Sequence, residues 1–190
     1  MAPDSPSDVV GIVLAAGAGR RMGRPKVLVR DGDGVPWLHR AVALVRAAGA
    51  DPVLVALGAA ADEAAKLVPP GATTVVVPDW STGMAASLRA ALEAAEAATH
   101  AVAALVTLVD LPDLRVEAAR RVLGEHREPD DLRQAAYDGT PGHPVLIGRR
   151  HWAPLRSRLS GDVGAKHYLR ENGAEILDCT DLGGGNDVDR

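Results

Sequence analysis

The sequence predicts an α/β protein in which a mostly parallel sheet carries helices on both faces and ends in a small β addition. Three observations predict it. Short apolar runs rich in Val, Ile and Leu recur through residues 9–109, as in strands covered on both faces. Between them lie stretches whose apolar residues recur at helical spacing. A glycine-rich loop bearing cations directly follows the first apolar run, and open α/β sheets bind ligands in the crevice outside the carboxyl ends of their strands.

The elements follow in order. Val9-Val10-Gly11-Ile12-Val13-Leu14 forms the first strand. In 36–48, Trp37, Leu38, Ala41, Val42, Leu44 and Val45 share one face of a helix that Gly49 closes. Residues 52–57 are the second strand. The alanine-rich helix 60–68 is stopped by Pro69-Pro70-Gly71, and the β-branched run Thr73-Thr74-Val75-Val76-Val77 is the third strand. Met84, Leu88, Ala91, Leu92 and Ala95 form a stripe on the longest helix, 84–98, and 101–109 is the fourth strand. Beyond Asp110 the rhythm changes to a helix over 116–125 and a polar break at Glu128-Pro129-Asp130-Asp131. Two short strands, 133–137 and 142–147, then meet about Asp138-Gly139 as a hairpin-like addition. Residues 1–7, rich in Pro, Ser and Asp, are expected to be a disordered leader, leaving 8–190 as one domain.

Composition excludes several classes of function. A net charge of −4 and the lack of a long basic run argue against a nucleic-acid partner. No apolar run approaches the ~20 residues of a membrane span, and the leader lacks the regions of a signal peptide, so a cytoplasmic protein without a membrane partner is expected. The lone cysteine, Cys179, fits a reducing compartment, and Asp178 and Asp181 disfavour its thiolate, so it is not a nucleophile.

The loop carries the strongest functional signal. Leu14-Ala15-Ala16-Gly17-Ala18-Gly19-Arg20-Arg21-Met22-Gly23-Arg24-Pro25-Lys26 has a GxGxxxG spacing, one residue longer than the dinucleotide fingerprint, and lacks the GK[ST] of a P-loop. Pro25 biases Arg24 away from helical geometry, so 17–26 is expected to be an extended loop wrapped around phosphates. The N–H groups of Ala18 and Gly19 would meet phosphate oxygens while Arg20, Arg21 and Lys26 neutralise them. A plain glycine turn with solvated cations is the alternative, and the position behind the first strand favours phosphate. Asp110 ends the apolar run Leu105-Val106-Thr107-Leu108-Val109, where a carboxylate suits Mg2+ beside nucleotide phosphates, or else starts a turn before Pro112. Asp113 is a turn former. Asp187 and Asp189 follow Gly183-Gly184-Gly185, an acidic close that is ordinarily solvated.

Residues 14–26 resemble the LAAGxSxRMGxPK signature of the nucleotidyltransferases that load molybdopterin with CMP or GMP. Later blocks resemble the cytidylyltransferase branch of that molybdenum cofactor family: Pro78-Asp79-Trp80-Ser81-Thr82-Gly83-Met84-Ala85-Ala86-Ser87-Leu88-Arg89, Val109-Asp110-Leu111-Pro112, Gly142-His143-Pro144-Val145-Leu146-Ile147, Gly161-Asp162-Val163-Gly164-Ala165 and Asn186-Asp187-Val188-Asp189. The resemblance spans nearly the whole chain and implies a three-layer, Rossmann-like nucleotidyltransferase fold. By the same resemblance, Leu14, Ala15, Ala16, Gly17, Ala18 and Gly19 hold the nucleotide, Arg21 and Lys26 act on its triphosphate, and Gly83 and Ser87 lie near the base or acceptor. It makes Asp110 the main Mg2+ ligand, with Asp187 or Asp189 the second, and sets His143 and Asp162 in the acceptor pocket. The implied partners are an NTP, CTP favoured, a small phosphorylated acceptor such as molybdopterin, and a molybdoenzyme.

This chain departs from the family pattern in three places. Gly19 replaces the signature serine, Asp187-Val188-Asp189-Arg190 lacks the Thr-Pro-Glu-Asp continuation, and Gly83-Met84-Ala85-Ala86-Ser87 matches the base-choice segment loosely. The implied reaction is attack of an acceptor phosphate on the α-phosphate of the NTP with loss of pyrophosphate. An ionised phosphate needs no strong base, so positioning and charge neutralisation suffice. Two alternatives remain: an NAD(P)H-dependent oxidoreductase of the nicotine blue type, resembled around Pro141-Gly142-His143-Pro144-Val145, and a non-catalytic chaperone that binds molybdenum cofactor.

Overall fold

The computed structural model describes residues 7–188. The four predicted strands are present as β1 (Val9–Ala15), β2 (Val53–Leu57), β3 (Ala72–Val76) and β4 (Ala103–Leu108). β1 pairs in parallel with both β2 and β4, and β3 continues the parallel run beside β2. The hairpin is β5 (Leu132–Tyr137) and β6 (Thr140–Gly148), and its turn residues Asp138 and Gly139 have φ of 50° and 75°, the positive pair that a tight two-residue connection requires. β6 runs antiparallel to β4, so the hairpin widens the sheet. A strand that the sequence does not announce, β7 (Glu175–Asp178), pairs in parallel with β5. Its four mostly exposed residues carry no apolar alternation. The sheet therefore has seven strands in the order β3-β2-β1-β4-β6-β5-β7.

The helices are α1 (Trp37–Ala47), α2 (Ala61–Ala65), α3 (Met84–Ala95), α4 (Val116–Leu123), α5 (Trp152–Arg158) and α6 (Lys166–Glu171). They divide between the two faces of the sheet, and β1 shows why its sequence is almost wholly apolar. All seven of its residues are buried. Val9, Val13 and Ala15 face the core beneath α1 and α4, whereas Val10, Ile12 and Leu14 face the core beneath α3, α5 and α6. Gly11 lets α1 lie close, since a Cβ there would come within 3.1 Å of Val45. The alanines of α3, Ala85, Ala86, Ala91 and Ala95, are buried against the opposite face, where small side chains bring helix and sheet together.

Element ends differ from expectation for local reasons. α2 occupies only five residues of 60–68, because Ala60 stands in the left-handed region at φ 57° and the chain leaves the helix ahead of Pro69. α3 ends at Ala95 instead of 98, and the carbonyls beyond it are taken by the Arg149 guanidinium, which donates to Ala98 at 2.7 Å and Ala101 at 3.0 Å. α4 stops at Leu123, where Gly124 turns the chain at φ 65°. The sequence does not announce α5 and α6; α5 is anchored by Trp152, which is 1% exposed and donates its indole N–H to the Ile147 carbonyl at 2.9 Å. The expected leader falls outside the described residues except for Ser7, which is not a free tail: its hydroxyl accepts from Val9 N–H at 3.1 Å and donates to the Gly49 carbonyl at 2.7 Å. Among the described residues no helix is long and apolar enough to cross a membrane.

Thr107, on the buried face of β4, is 1% exposed and its hydroxyl finds no hydrogen-bond partner among the described residues. A buried hydroxyl without a partner costs stability that an isosteric methyl does not. Thr107→Val is therefore expected to raise stability by about 1 kcal/mol. A chemical-denaturation midpoint at or below that of the unmodified protein refutes the assignment.

Candidate active site

The parallel pairing of β1 with β4 sets the site. Leu14 and Leu108 are register partners, and the Val109 N–H donates to the Leu14 carbonyl at 3.1 Å, so the loop after β1 and the segment ending in Asp110 leave the sheet side by side. On the other flank the Ala59 N–H donates to the Ala16 carbonyl at 2.9 Å. A cleft of about 470 Å³ opens over these ends. Leu14, Ala15, Ala16, Gly17, Ala18, Gly19, Arg21, Lys26, Gly83, Ser87, Asp110 and Asp162 all line it, bringing together most of the residues singled out in the sequence.

The loop is not extended as expected. It contains two short turns of 3-10 helix, Arg20–Met22 and Lys26–Leu28, separated by Gly23 at φ 69° and by Pro25 at φ −57°, ψ 127°. The physical reason lies at Gly19, which takes the left-handed φ of 59° and sits so close to the Arg24 carbonyl oxygen that a Cβ would overlap it. The loop closes on itself at the one position where the family signature carries serine. A side chain is incompatible with this closure, so the hydroxyl is absent for a conformational reason. Arg20 and Arg21 remain exposed on the rim.

Lys26 turns inward. Its ammonium lies 2.7 Å from Asp110 Oδ2, and each side chain of the pair is only 15% exposed. The two groups are 84 residues apart in sequence. The Asp110 carboxylate thus already holds one positive charge, carried to this point of the cleft on a flexible stem.

The opposite wall is built by the start of α3 and the loop after α5. Gly83 has φ 123°, and a Cβ on it would press on Gly161 and stand 2.7 Å from Asp162 Oδ1. The Ala85 N–H donates to the Gly161 carbonyl at 3.0 Å, so the loop bearing Asp162 is pinned over the first turn of α3. Ser87 is buried one turn further along. Trp80, Ser81 and Met84 complete the wall; the sequence gives Trp80 and Ser81 no role and sets Met84 in the apolar stripe of α3, whereas Met84 is exposed at the cleft. Trp80 packs over the end of β2 because Gly58 has no side chain; a Cβ there would strike the tryptophan. The signal that could have found it is Gly58 itself, a glycine immediately after a strand.

His143 and Asp187 are not among the residues lining the cleft. His143, on β6, places Nδ1 3.4 Å from the Val106 carbonyl of β4. Burial holds its imidazole below the usual pKa, with opposing pulls from the Val106 carbonyl and the Asp110 charge, so it is neutral at pH 7. Asp187 is exposed, but the next residue returns to the site: the Val188 N–H donates to the Asp110 carbonyl at 3.0 Å. Asp189 lies outside the described residues. Among the described residues no group of three or more His, Cys, Asp or Glu side chains forms a metal centre. Cys179 is buried just after β7, and burial raises its thiol pKa, in keeping with an inert side chain.

Known proteins share the fold. Residues 11–176 match the model of the MobA-like NTP transferase domain family. A nicotine blue oxidoreductase of Paenarthrobacter nicotinovorans is 37% identical over 194 residues, covering 95% of this chain and 92% of that protein. The crystal structure of Rv0371c from Mycobacterium tuberculosis H37Rv superposes with a TM-score of 0.78 at 29% identity, covering 92% of this chain and 89% of that one. A manganese complex of Rv0371c gives a TM-score of 0.70 at 27% identity, covering 90% and 86%.

Two outcomes are expected. Gly19→Ser, which restores the signature residue, is expected to weaken nucleotide binding about tenfold, because it combines a strained φ with overlap on Arg24. Gly17→Ser, with open space around its Cβ, is the tolerated control, and calorimetric titration with nucleotide compares them. Equal affinities for both variants contradict the closure described. For His143, a folded pKa below that of the unfolded chain means the unfolded state takes up the proton first as pH falls. The stability contributed by the neutral ring is thus present above about pH 6.5 and is lost as pH falls through that value toward the folded pKa. His143→Asn should flatten the denaturation free energy across that interval; an unchanged slope excludes His143 as its source.

Proposed function

The chain belongs to the MobA-like NTP transferase domain family, and on that premise we propose that it transfers a nucleoside monophosphate from an NTP, with CTP preferred, to a phosphorylated acceptor such as molybdopterin, releasing pyrophosphate. The observation that carries this proposal is the Lys26–Asp110 pair at 2.7 Å, on the floor of a cleft roofed by a glycine loop. A lysine and a carboxylate brought together beyond the ends of adjoining parallel strands suit a polyphosphate and the cation that accompanies it.

The donor set fits Mg2+. Asp110 already binds a cationic side chain, and the Val188 N–H on its carbonyl brings the backbone beside Asp187 close to it, which supports two carboxylates for an ion whose other ligands are phosphates and water. Asp110 and Asp187 would hold the ion, with Asp189 as the further candidate. When bound, Mg2+ would offset the charge of the triphosphate and of the departing pyrophosphate.

The chain's own groups account for the remainder. The backbone N–H groups of Ala18 and Gly19 cradle phosphate oxygens, and Arg21 neutralises the triphosphate from the rim. Lys26 has a flexible four-carbon stem with which to pass from Asp110 to a phosphate oxygen. An oxygen of the acceptor phosphate forms a bond to the α-phosphorus while the bond to the β-phosphate bridge breaks, and the electron pair leaves with pyrophosphate. The acceptor would enter from the side of Asp162, which lines the cleft, and a molybdoenzyme would later receive the product there. His143, being neutral, supplies no positive charge.

The relative named as a nicotine blue oxidoreductase favours a second function, reduction by NAD(P)H. Against it stands the end of β2, where dinucleotide folds present an acidic residue to the ribose and this chain presents Gly58 beneath Trp80.

A panel of NTPs with Mg2+ and molybdopterin, scored by pyrophosphate release, tests the proposal. CTP is expected to be the best donor, and Asp110→Asn to lower kcat about 10²- to 10³-fold. Lys26→Ala is expected to weaken triphosphate binding much more than nucleoside binding; equal losses on both remove Lys26 from the phosphates. No pyrophosphate from any nucleotide, together with pyridine-nucleotide oxidation on a quinone-like dye, replaces the transferase by the reductase.

A further inference from the structure

We propose that Tyr137 is a positioning residue for the metal site: its ring and the run Gly183-Gly184-Gly185 form a strap that holds Asp187 beside Asp110. This rests on the metal-dependent transfer proposed above. Neither Tyr137 nor the three glycines line the cleft.

The strap begins just after β7. The Leu182 N–H donates to the Cys179 carbonyl at 3.0 Å, and Gly183 and Gly184 follow in the left-handed region at φ 64° and 78°. Each of the next two positions is pressed against a different wall. A Cβ on Gly184 would overlap the Asp113 carbonyl oxygen, and one on Gly185 would overlap the Tyr137 ring. The backbone thus slides between the loop after Asp110 and the hairpin, through a gap that only glycine fits. It emerges with the Val188 N–H on the Asp110 carbonyl and the Val188 side chain packed on the apolar core. Asp187 is thereby delivered to the neighbourhood of Asp110 by backbone contacts alone.

Tyr137 forms a fixed wall of that gap. Its ring lies 3.3 Å from where a Gly142 side chain would begin, and its hydroxyl donates to the His143 carbonyl at 3.0 Å. Burial pushes the phenol up to about 12, so it remains a protonated donor. One side chain therefore joins the hairpin bearing His143 to the segment bearing Asp187. The small size of the Gly-Gly-Gly run serves close passage.

The test uses the full chain without nucleotide and follows Mn2+ binding by paramagnetic resonance, alongside hydrogen exchange at the Val188 amide. Tyr137→Ala and Gly185→Ala are expected to weaken Mn2+ binding about tenfold, as Asp187→Asn does, and to lose Val188 protection. Tyr137→Phe keeps the ring and is expected to bind Mn2+ nearly as the unmodified protein does. Gly185→Ala keeps the test decisive should Tyr137→Ala fold poorly. Unchanged Mn2+ affinity in Gly185→Ala, with affinity lost in Asp110→Asn, overturns the strap while sparing the metal site. Full affinity in Asp110→Asn overturns the metal site, and the strap's role with it.

Discussion

Everything functional in this protein depends on the parallel pairing of β1 with β4. Parallel neighbours end on the same side of a sheet, so the loop after β1 and the carboxylate after β4 are exposed together although 84 residues separate Lys26 from Asp110. Gly11 marks that register, since a slip of one residue would bring Val10 or Ile12 beneath Val45, where even a Cβ would stand 3.1 Å away. The hydrogen bond from Val109 to Leu14 then locks the two strand ends at the level of the cleft.

The cleft has two chemically different ends. Lys26, Asp110 and the backbone of the glycine loop make an end suited to phosphate and cation. Trp80, Met84 and Asp162 make the other, where an aromatic ring and a thioether offer flat apolar surface beside a carboxylate. Glycines shape both. Gly19 closes the loop on Arg24, Gly58 admits Trp80, and Gly83 lets the loop bearing Asp162 rest on α3. At each of these positions a side chain would collide, so the chain trades conformational freedom in the unfolded state for close backbone approach.

Membership in a transferase family together with marked similarity to a protein named as an oxidoreductase illustrates how one scaffold can host different chemistry. The residues that decide between them are few. The proposed transfer would draw on the Lys26–Asp110 end, while a dinucleotide needs a ribose contact at the end of β2, where Trp80 stands over Gly58.

The amino-acid sequence by itself determined the strand and helix alternation, the parallel sheet with its hairpin, and most of the cleft residues, because buried apolar runs, helical stripes and the Asp138-Gly139 turn are local signals. It left β7, α5 and α6 unannounced, since short, largely exposed elements carry little periodicity and owe their form to neighbours such as β5. It also took the glycine loop to be extended and the Gly183-Gly184-Gly185 run to precede a solvated tail. Only the tertiary structure decided that the loop folds into short turns against Arg24, that Trp80 walls the cleft, and that the last glycines thread past Tyr137 to bring Val188 onto Asp110. Each of those outcomes is a close approach whose only mark in the sequence is a glycine, and a glycine alone does not say which segment it admits.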